Sequence, residues 1–245
     1  MASTEQRVAV VTGGSGGIGR AAAERLARDG FATVVHYAGN PDRAEAAVRA
    51  ITDAGGRAIA AGGDVADEDA MAALFGAAAD AFGGVDVVLN SAGIMPLAPI
   101  AEMDLETFDR IQRTNVRGTF VVDRLAARQV REGGAIINVS TTVTRLQQPG
   151  YGAYAASKGA VEALTLILAR ELRGRDVTVN AIAPGPTATP LFLEGKTEAD
   201  VQRIAGLSPM NRLGTPADVA EVVAFLAGPG RWVNGQVVYV NGGTA

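Results

Sequence analysis

The chain has 245 residues, 48% hydrophobic and 20% charged, with a formal net charge of −4. That length allows one large α/β domain or two small ones, and the acidic balance, with arginines scattered along the chain, excludes a nucleic-acid backbone or an anionic membrane as partner. With no cysteine and a single histidine, His36, disulfides, thiolate sites and multi-histidine zinc sites are excluded, so no metal centre is expected.

The N-terminal stretch MASTEQRVAVV lacks a basic segment followed by an apolar core, so no secretory signal is expected. Nor is there an apolar run of about eighteen residues to span a bilayer, and the expectation is a cytoplasmic protein with no membrane partner. VAVVT (8–12), TVVHY (33–37), RAIAA (57–61), VDVVLN (85–90), AIINVS (135–140), VTVNAI (177–182) and QVVYV (236–240) are strand-like. Most are apolar throughout, as parallel strands covered on both faces must be. Helical stretches separate them: GIGRAAAERLARDG, PDRAEAAVRAITDAG, DEDAMAALFGAAADAFG, a long segment over 104–132, then 152–173 and 216–227. The β-α-β-α rhythm predicts a doubly wound parallel sheet with right-handed crossovers. No composition break interrupts residues 1–245, which predicts a single domain. The stretch 184–215, rich in Pro, Gly and Thr, has no strand signal and reads as a functional loop over a substrate.

Directly after the first strand stands TGGSGGIG (12–19), and a helix follows. In that context glycines permit tight turns and bring backbone close to a pyrophosphate, whose charge meets the amides of the helix N-terminus. A P-loop is disfavoured, since no Gly-Lys-Ser/Thr follows. Further along, YAASK (154–158) places Tyr154 and Lys158 one turn apart. The chain has only two lysines, Lys158 and Lys196, among its 22 basic residues. Where a generic positive charge would serve, it uses arginine, so Lys158 marks a place that needs a compact ammonium. The plain alternative is an ordinary i,i+4 pair in solvent.

TGGSGGIG, GDV (63–65), NSAG (90–93), Asn115, YAASK, PGPTAT (184–189) and the C-terminal VNGQVVYVNGG occur in an order that resembles the short-chain dehydrogenases/reductases. The resemblance covers nearly the whole chain. It implies a Rossmann-like domain with seven parallel strands, usually assembled as a tetramer or dimer. It implies that Gly13, Ser15, Gly16, Gly17, Ile18 and Gly19 line the pyrophosphate. Asp64 and Val65 would frame the adenine, and Asn90, Ala92 and Gly93 would end the fourth strand beside the ribose. Ser91 stands where the family more often has a second asparagine. Pro184, Gly185, Thr187 and Thr189 would hold the carboxamide end of a nicotinamide and the diphosphate.

At the end of the second strand an acid would bind both ribose hydroxyls and repel a 2′-phosphate. Tyr37 occupies that place, and no carboxylate follows until Asp42. The segment around His36, Tyr37 and Asn40 resembles NADP-using members, so the expected cofactor is NADP(H). Gly16 departs from the Arg or Lys of many NADP users, which leaves Arg43 as the one nearby charge.

Carbonyl reduction leaves an alkoxide to be protonated, and a phenol of pKa about 10 serves best with a cation beside it. Tyr154 and Lys158 resemble that pair, Asn115 resembles the family's water-anchoring residue, and a hydroxyl should orient the carbonyl. The family's serine position is Thr141 here, with Ser140 adjacent. Neighbours at a strand end point to opposite faces, which favours Thr141, although a one-residue longer loop would favour Ser140. The expectation is an NADPH-dependent reductase of a ketone, such as a 3-oxoacyl thioester or a cyclic, polyketide-like ketone. The alternatives are an NAD-dependent alcohol dehydrogenase and a dinucleotide-binding sensor without turnover. Specificity is expected in residues 95–99, 145–151 and 190–212.

Overall fold

Seven runs of small and β-branched residues pair in register into one parallel sheet, ordered β3-β2-β1-β4-β5-β6-β7, in a computed structural model that describes residues 6–245. Residues 1–5 of the N-terminal stretch read above lie outside the described residues. The strands are β1 (Val8–Thr12), β2 (Ala32–Tyr37), β3 (Arg57–Gly62), β4 (Val85–Asn90), β5 (Val130–Val139), β6 (Thr178–Pro184) and β7 (Val237–Val240). Alternate side chains of each strand enter opposite layers, the period-2 rule of a pleated strand. Val8 and Val10 of β1 pack with α3 (Glu68–Phe82), α5 (Gly118–Gln129) and α7 (Gly152–Glu171). Ala9 and Val11 pack with α1 (Gly17–Arg28), α2 (Pro41–Asp53) and α10 (Pro216–Ala227) on the other face. The remaining helices, α4 (Leu105–Ile111), α6 (Val143–Leu146), α8 (Pro190–Leu193) and α9 (Glu198–Ala205), are short. This is the doubly wound Rossmann-like sheet expected.

Two sequence expectations need correction. Residues 104–132 do not form one helix. α4 ends at Ile111, a π-helical turn spans Gln112–Arg117, and α5 stops at Gln129. The widened turn carries Asn115, which is fully buried; such one-turn insertions recur at functional sites. The second correction is that β5 starts at Val130 rather than 135. The ladder with β4 shifts between Val85 and Val87, and a Cβ at Gly134 would lie 2.4 Å from the Asp86 carbonyl oxygen. The Gly133-Gly134 pair therefore works as a close-approach irregularity within a strand, a role glycine can fill where no side chain fits.

Pro184 ends β6, and residues 185–215 contain no further sheet strand, but they are not structureless. α8 and α9 form there, α9 with a capping box between Thr197 and Asp200, and one parallel bridge joins Thr187 to Gly214. The strand order reverses between β1 and β4, and a cleft opens beyond the strand ends there.

Candidate active site

At that switch point the glycine loop leaves β1. Gly13 has φ +64°, and a Cβ on it would sit 3.0 Å from the Ala92 backbone, so the loop touches the turn after β4. Thr12, which sequence reasoning passed over, ties the two turns. Its hydroxyl donates to Asn90 Oδ1 at 2.9 Å and accepts from the amides of Ser91 and Ala92 at 3.1 and 3.2 Å. Asn90 Nδ2 is buried with no partner. α1 begins with Gly16 as an uncapped extended residue and no acid in its first turn.

A cavity of ≈ 370 Å³ lies over these ends. Its wall runs from Gly13, Ser15, Gly16, Gly17 and Ile18 through Ala92 and Gly93 to Thr141, Tyr154 and Lys158. Pro184, Gly185, Thr187 and Thr189 close the opposite side, and Thr189 packs against Gly17. Ser140 also borders it. The remaining predicted residues stand behind or beside this wall. Gly19 lies behind the loop, where a Cβ would meet the Gly13 carbonyl oxygen at 2.3 Å, so its lack of a side chain serves helix–loop packing. His36 is buried and accepts from the Gly13 amide at 3.3 Å, while its other ring nitrogen bonds the Gly63 carbonyl at 2.9 Å. Burial lowers its pKa, which suits a neutral ring bracing the loop from beneath. Tyr37 lays its ring on Gly62. Asn40 caps α2 by accepting from the Arg43 amide at 3.1 Å, and Arg43 itself borders the cavity. Asp64 accepts from the Ala66 amide and pairs with Arg113 on the π-helical turn at 2.9 Å. The Val65 side chain fills the space over Gly118, in the core.

The catalytic candidates converge on the end of β5. Tyr154 and Lys158 follow one another on α7 and are both buried. Burial pushes the Tyr154 phenol up to about 12, while the Thr141 hydroxyl facing it works against that shift and the nearby Tyr151 adds to it. Burial brings the Lys158 ammonium down to about 8. Lys158 Nζ lies 5.9 Å from the Tyr154 ring centre and donates to the Val139 carbonyl at 2.7 Å. In the protein alone desolvation is the largest influence on the phenol and raises it; the lowering expected from the sequence needs the charged nicotinamide as well as the ammonium. Asn115 grips the backbone of Ile94, accepting from its amide at 2.9 Å and donating to its carbonyl at 3.0 Å. It also donates to Ser157 Oγ at 3.0 Å. That makes it a clamp between the β4 turn and α7.

The two hydroxyl candidates separate. The Ser140 hydroxyl donates to Glu162 Oε1 at 2.6 Å, away from Tyr154, and Thr141 takes the side facing the phenol. The cavity wall also carries large apolar and aromatic side chains, Met95, Leu146, Tyr151, Leu191, Phe192 and Leu207, with Gln148 among them. All of them fall in the three segments expected to set specificity. Among the described residues no cluster of His, Cys, Asp and Glu could hold a metal ion. No described helix is long and apolar enough to cross a membrane.

With this geometry in place, comparison with known proteins is direct. A family model described as enoyl-(acyl carrier protein) reductase matches residues 13–245. A short-chain type dehydrogenase/reductase of Picea abies is 46% identical over 97% of this chain and 92% of its own length. An Arabidopsis thaliana protein named NADPH-dependent aldehyde reductase-like, chloroplastic, is 44% identical over 97% of this chain and 93% of its own. The crystal structure of a short-chain dehydrogenase from Burkholderia cenocepacia in complex with NADP superposes with a TM-score of 0.91 at 39% identity, covering 97% of both chains. The family model and these relatives cover nearly the whole chain, the relatives at 39–46% identity, and the protein belongs to the short-chain dehydrogenase/reductase family.

Proposed function

We propose that this enzyme reduces an aldehyde or ketone to an alcohol with NADPH as reductant, Tyr154 being the proton donor. The observation that carries this is the convergence of Tyr154, Lys158 and Thr141 on the same cavity wall as the glycine loop. The residues present fit a dinucleotide. α1 has free N-terminal amides, no cap and no first-turn acid, and Gly16 leaves open space where a Cβ would project. That is a ready site for a pyrophosphate. Gly13, Ser15, Gly17 and Ile18 would hold it, with Asp64 and Val65 near the adenine. Pro184, Gly185, Thr187 and Thr189 would take the nicotinamide end. At the end of β2 no carboxylate stands to repel a 2′-phosphate, and Arg43 reaches the cavity, which supports NADPH over NADH. When bound, the cofactor supplies the hydride that ends on the carbonyl carbon.

The protein's residues do the rest. The Thr141 hydroxyl holds the carbonyl oxygen towards Tyr154, whose phenol gives it a proton. The phenolate left behind is stabilised by Lys158, which at a pKa of about 8 is also acid enough to return a proton. Asn115 keeps the β4 turn at a set distance from α7. The large apolar side chains of the cavity wall suit a carbonyl compound with a hydrophobic aliphatic or ring substituent, of which a 3-oxoacyl thioester and a cyclic ketone are the classes to try first. Exposed Phe120 on α5 with Leu166 and Ile167 on α7 suit a homo-oligomer, which sedimentation would reveal.

The test is a panel of aldehydes and ketones, with and without ring substituents, assayed by NADPH and NADH consumption. Turnover with NADPH favoured is expected. Consumption of NADH alone would overturn the cofactor assignment, and no turnover by any carbonyl alongside tight NADPH binding would favour a sensor.

A further inference from the structure

Tyr154 and Lys158 are the first two members of a row of three. Four residues further along α7 stands Glu162, on the same helix face, and it too reaches the end of β5. Its Oε1 accepts from Ser140 Oγ at 2.6 Å and from Thr144 Oγ1 at 3.0 Å. Thr144 has one hydroxyl proton and shares it with the Thr141 carbonyl oxygen at 2.9 Å. Lys158 holds the Val139 carbonyl one turn earlier. The chain from Val139 to Thr144 is therefore fastened to α7 at successive turns, with Thr141 between the fastenings.

We infer that Glu162 is a positioning residue of the catalytic site, binding Ser140 and Thr144 so that the intervening Thr141 presents its hydroxyl to Tyr154. The inference rests on the carbonyl-reductase reading for its consequence in turnover, though the clamp itself does not. An extended backbone sends Ser140 and Thr141 to opposite sides, so whichever hydroxyl is held determines where the other points. Ser140 is 2% exposed, and without an acceptor its buried hydroxyl would seek another partner and turn the segment with it. Glutamate is suited to the task, since one carboxylate oxygen accepts two hydroxyls at once. Thr141 also counteracts the upward shift of the Tyr154 phenol, so loosening it has a signature in pH dependence.

The test compares Glu162→Ala, Glu162→Gln and Ser140→Ala with wild type. Glu162→Ala is expected to lower kcat roughly 10-fold or more, towards the ~10²-fold cost of misplacing a reacting group by about an ångström, with KM for NADPH unchanged. In alcohol oxidation, where Tyr154 must be ionised, its pH profile moves to higher pH, as it does for Thr141→Val. Glu162→Gln keeps an acceptor oxygen and retains most of the activity. Ser140→Ala with Glu162→Ala together costs no more than Glu162→Ala alone, because the Ser140 contact is already lost with Glu162. Wild-type kcat and an unmoved pH profile in Glu162→Ala, or additive losses in the double variant, overturn the inference. A crystal structure of Glu162→Ala reads the clamp whatever the enzyme turns over: residues 140–144 in their original place refute it, and a rotated Thr141 supports it. Failure of wild type to reduce any carbonyl refutes the functional reading separately.

Discussion

The ends of β5 and β2 lie on the same rim of the sheet and are built in opposite ways. At β5 the groups that lead into the cavity are tied to neighbouring elements. Val139 O is held by Lys158, Ser140 by Glu162, and Thr142 donates its hydroxyl to Ala183 O at 3.1 Å and its amide to Pro184 O at 2.9 Å. At β2 the chain leaves into solvent. Tyr37 leans on Gly62, Asn40 is occupied in capping α2, and the Arg43 side chain is exposed. Proton transfer needs donor and acceptor fixed to a fraction of an ångström, whereas choosing between a ribose and its 2′-phosphate needs only a charge of the right sign within reach. Rigid burial serves the first task, and an exposed, adjustable surface is enough for the second.

The sharpest way to break this comparison is at Tyr154. Tyr154→Phe removes one hydroxyl and should cut carbonyl reduction by roughly 10²-fold or more, the scale of general-acid catalysis, while a binding titration still shows NADPH uptake. Wild-type turnover in that variant would mean that the rigid end is not the chemical one. Thr141→Val comes next, with roughly 10-fold or greater loss of kcat from the missing carbonyl-orienting bond. Ser140→Ala alone should lose less, because the Ser140 hydroxyl faces Glu162; steady-state kinetics that rank the pair the other way would move the role to Ser140.

Lys158 tests the cost of rigid burial. Its pKa is about 8 in the folded protein against 10.5 ordinarily. Between those values the unfolded chain holds the extra proton, so wild-type stability should rise with pH above about 8 and be lowest below it. From pH 10 upwards Tyr154, raised to about 12 from 10.0, binds more protons when folded and reverses the trend. Lys158→Met should therefore melt higher than wild type at pH 7 and lose the rise between pH 8 and 10, while losing turnover. Thermal melts of the cofactor-free protein across that range would check both.

The smallest effect belongs to the open end. Arg43→Ala should raise KM for NADPH by roughly 5-fold or less, as an exposed ion pair is worth little, and the difference should shrink in high salt. Tyr37→Asp, which installs a negative charge, should move preference towards NADH in kcat/KM ratios. If either change abolished turnover with both cofactors, the β2 end would be as geometrically constrained as the β5 end.

The amino-acid sequence by itself determined the alternating strands and helices, the glycine turn after β1, and the Tyr154-Lys158 pair on a helix. Each of these is written in neighbours along the chain: apolar runs in Val8–Thr12 and Val85–Asn90, glycine where the backbone must turn, and a four-residue spacing for one helical face. Other features depend on residues far apart in sequence, and only the tertiary structure decided them. His36, named from the sequence with the cofactor residues, is seen to brace the loop between Gly13 and Gly63. Residues 105–129 are helical throughout, yet the helix widens at Gln112–Arg117 so that Asn115 meets Ile94 and Ser157. Ser140 points its hydroxyl at Glu162, 22 residues further on, while Thr141 lies on the side of Tyr154. Two adjacent hydroxyls carry no local mark of which one is buried against a partner; that is settled where the end of β5 meets α7, since a hydrogen bond has a direction only when donor and acceptor share a place in space.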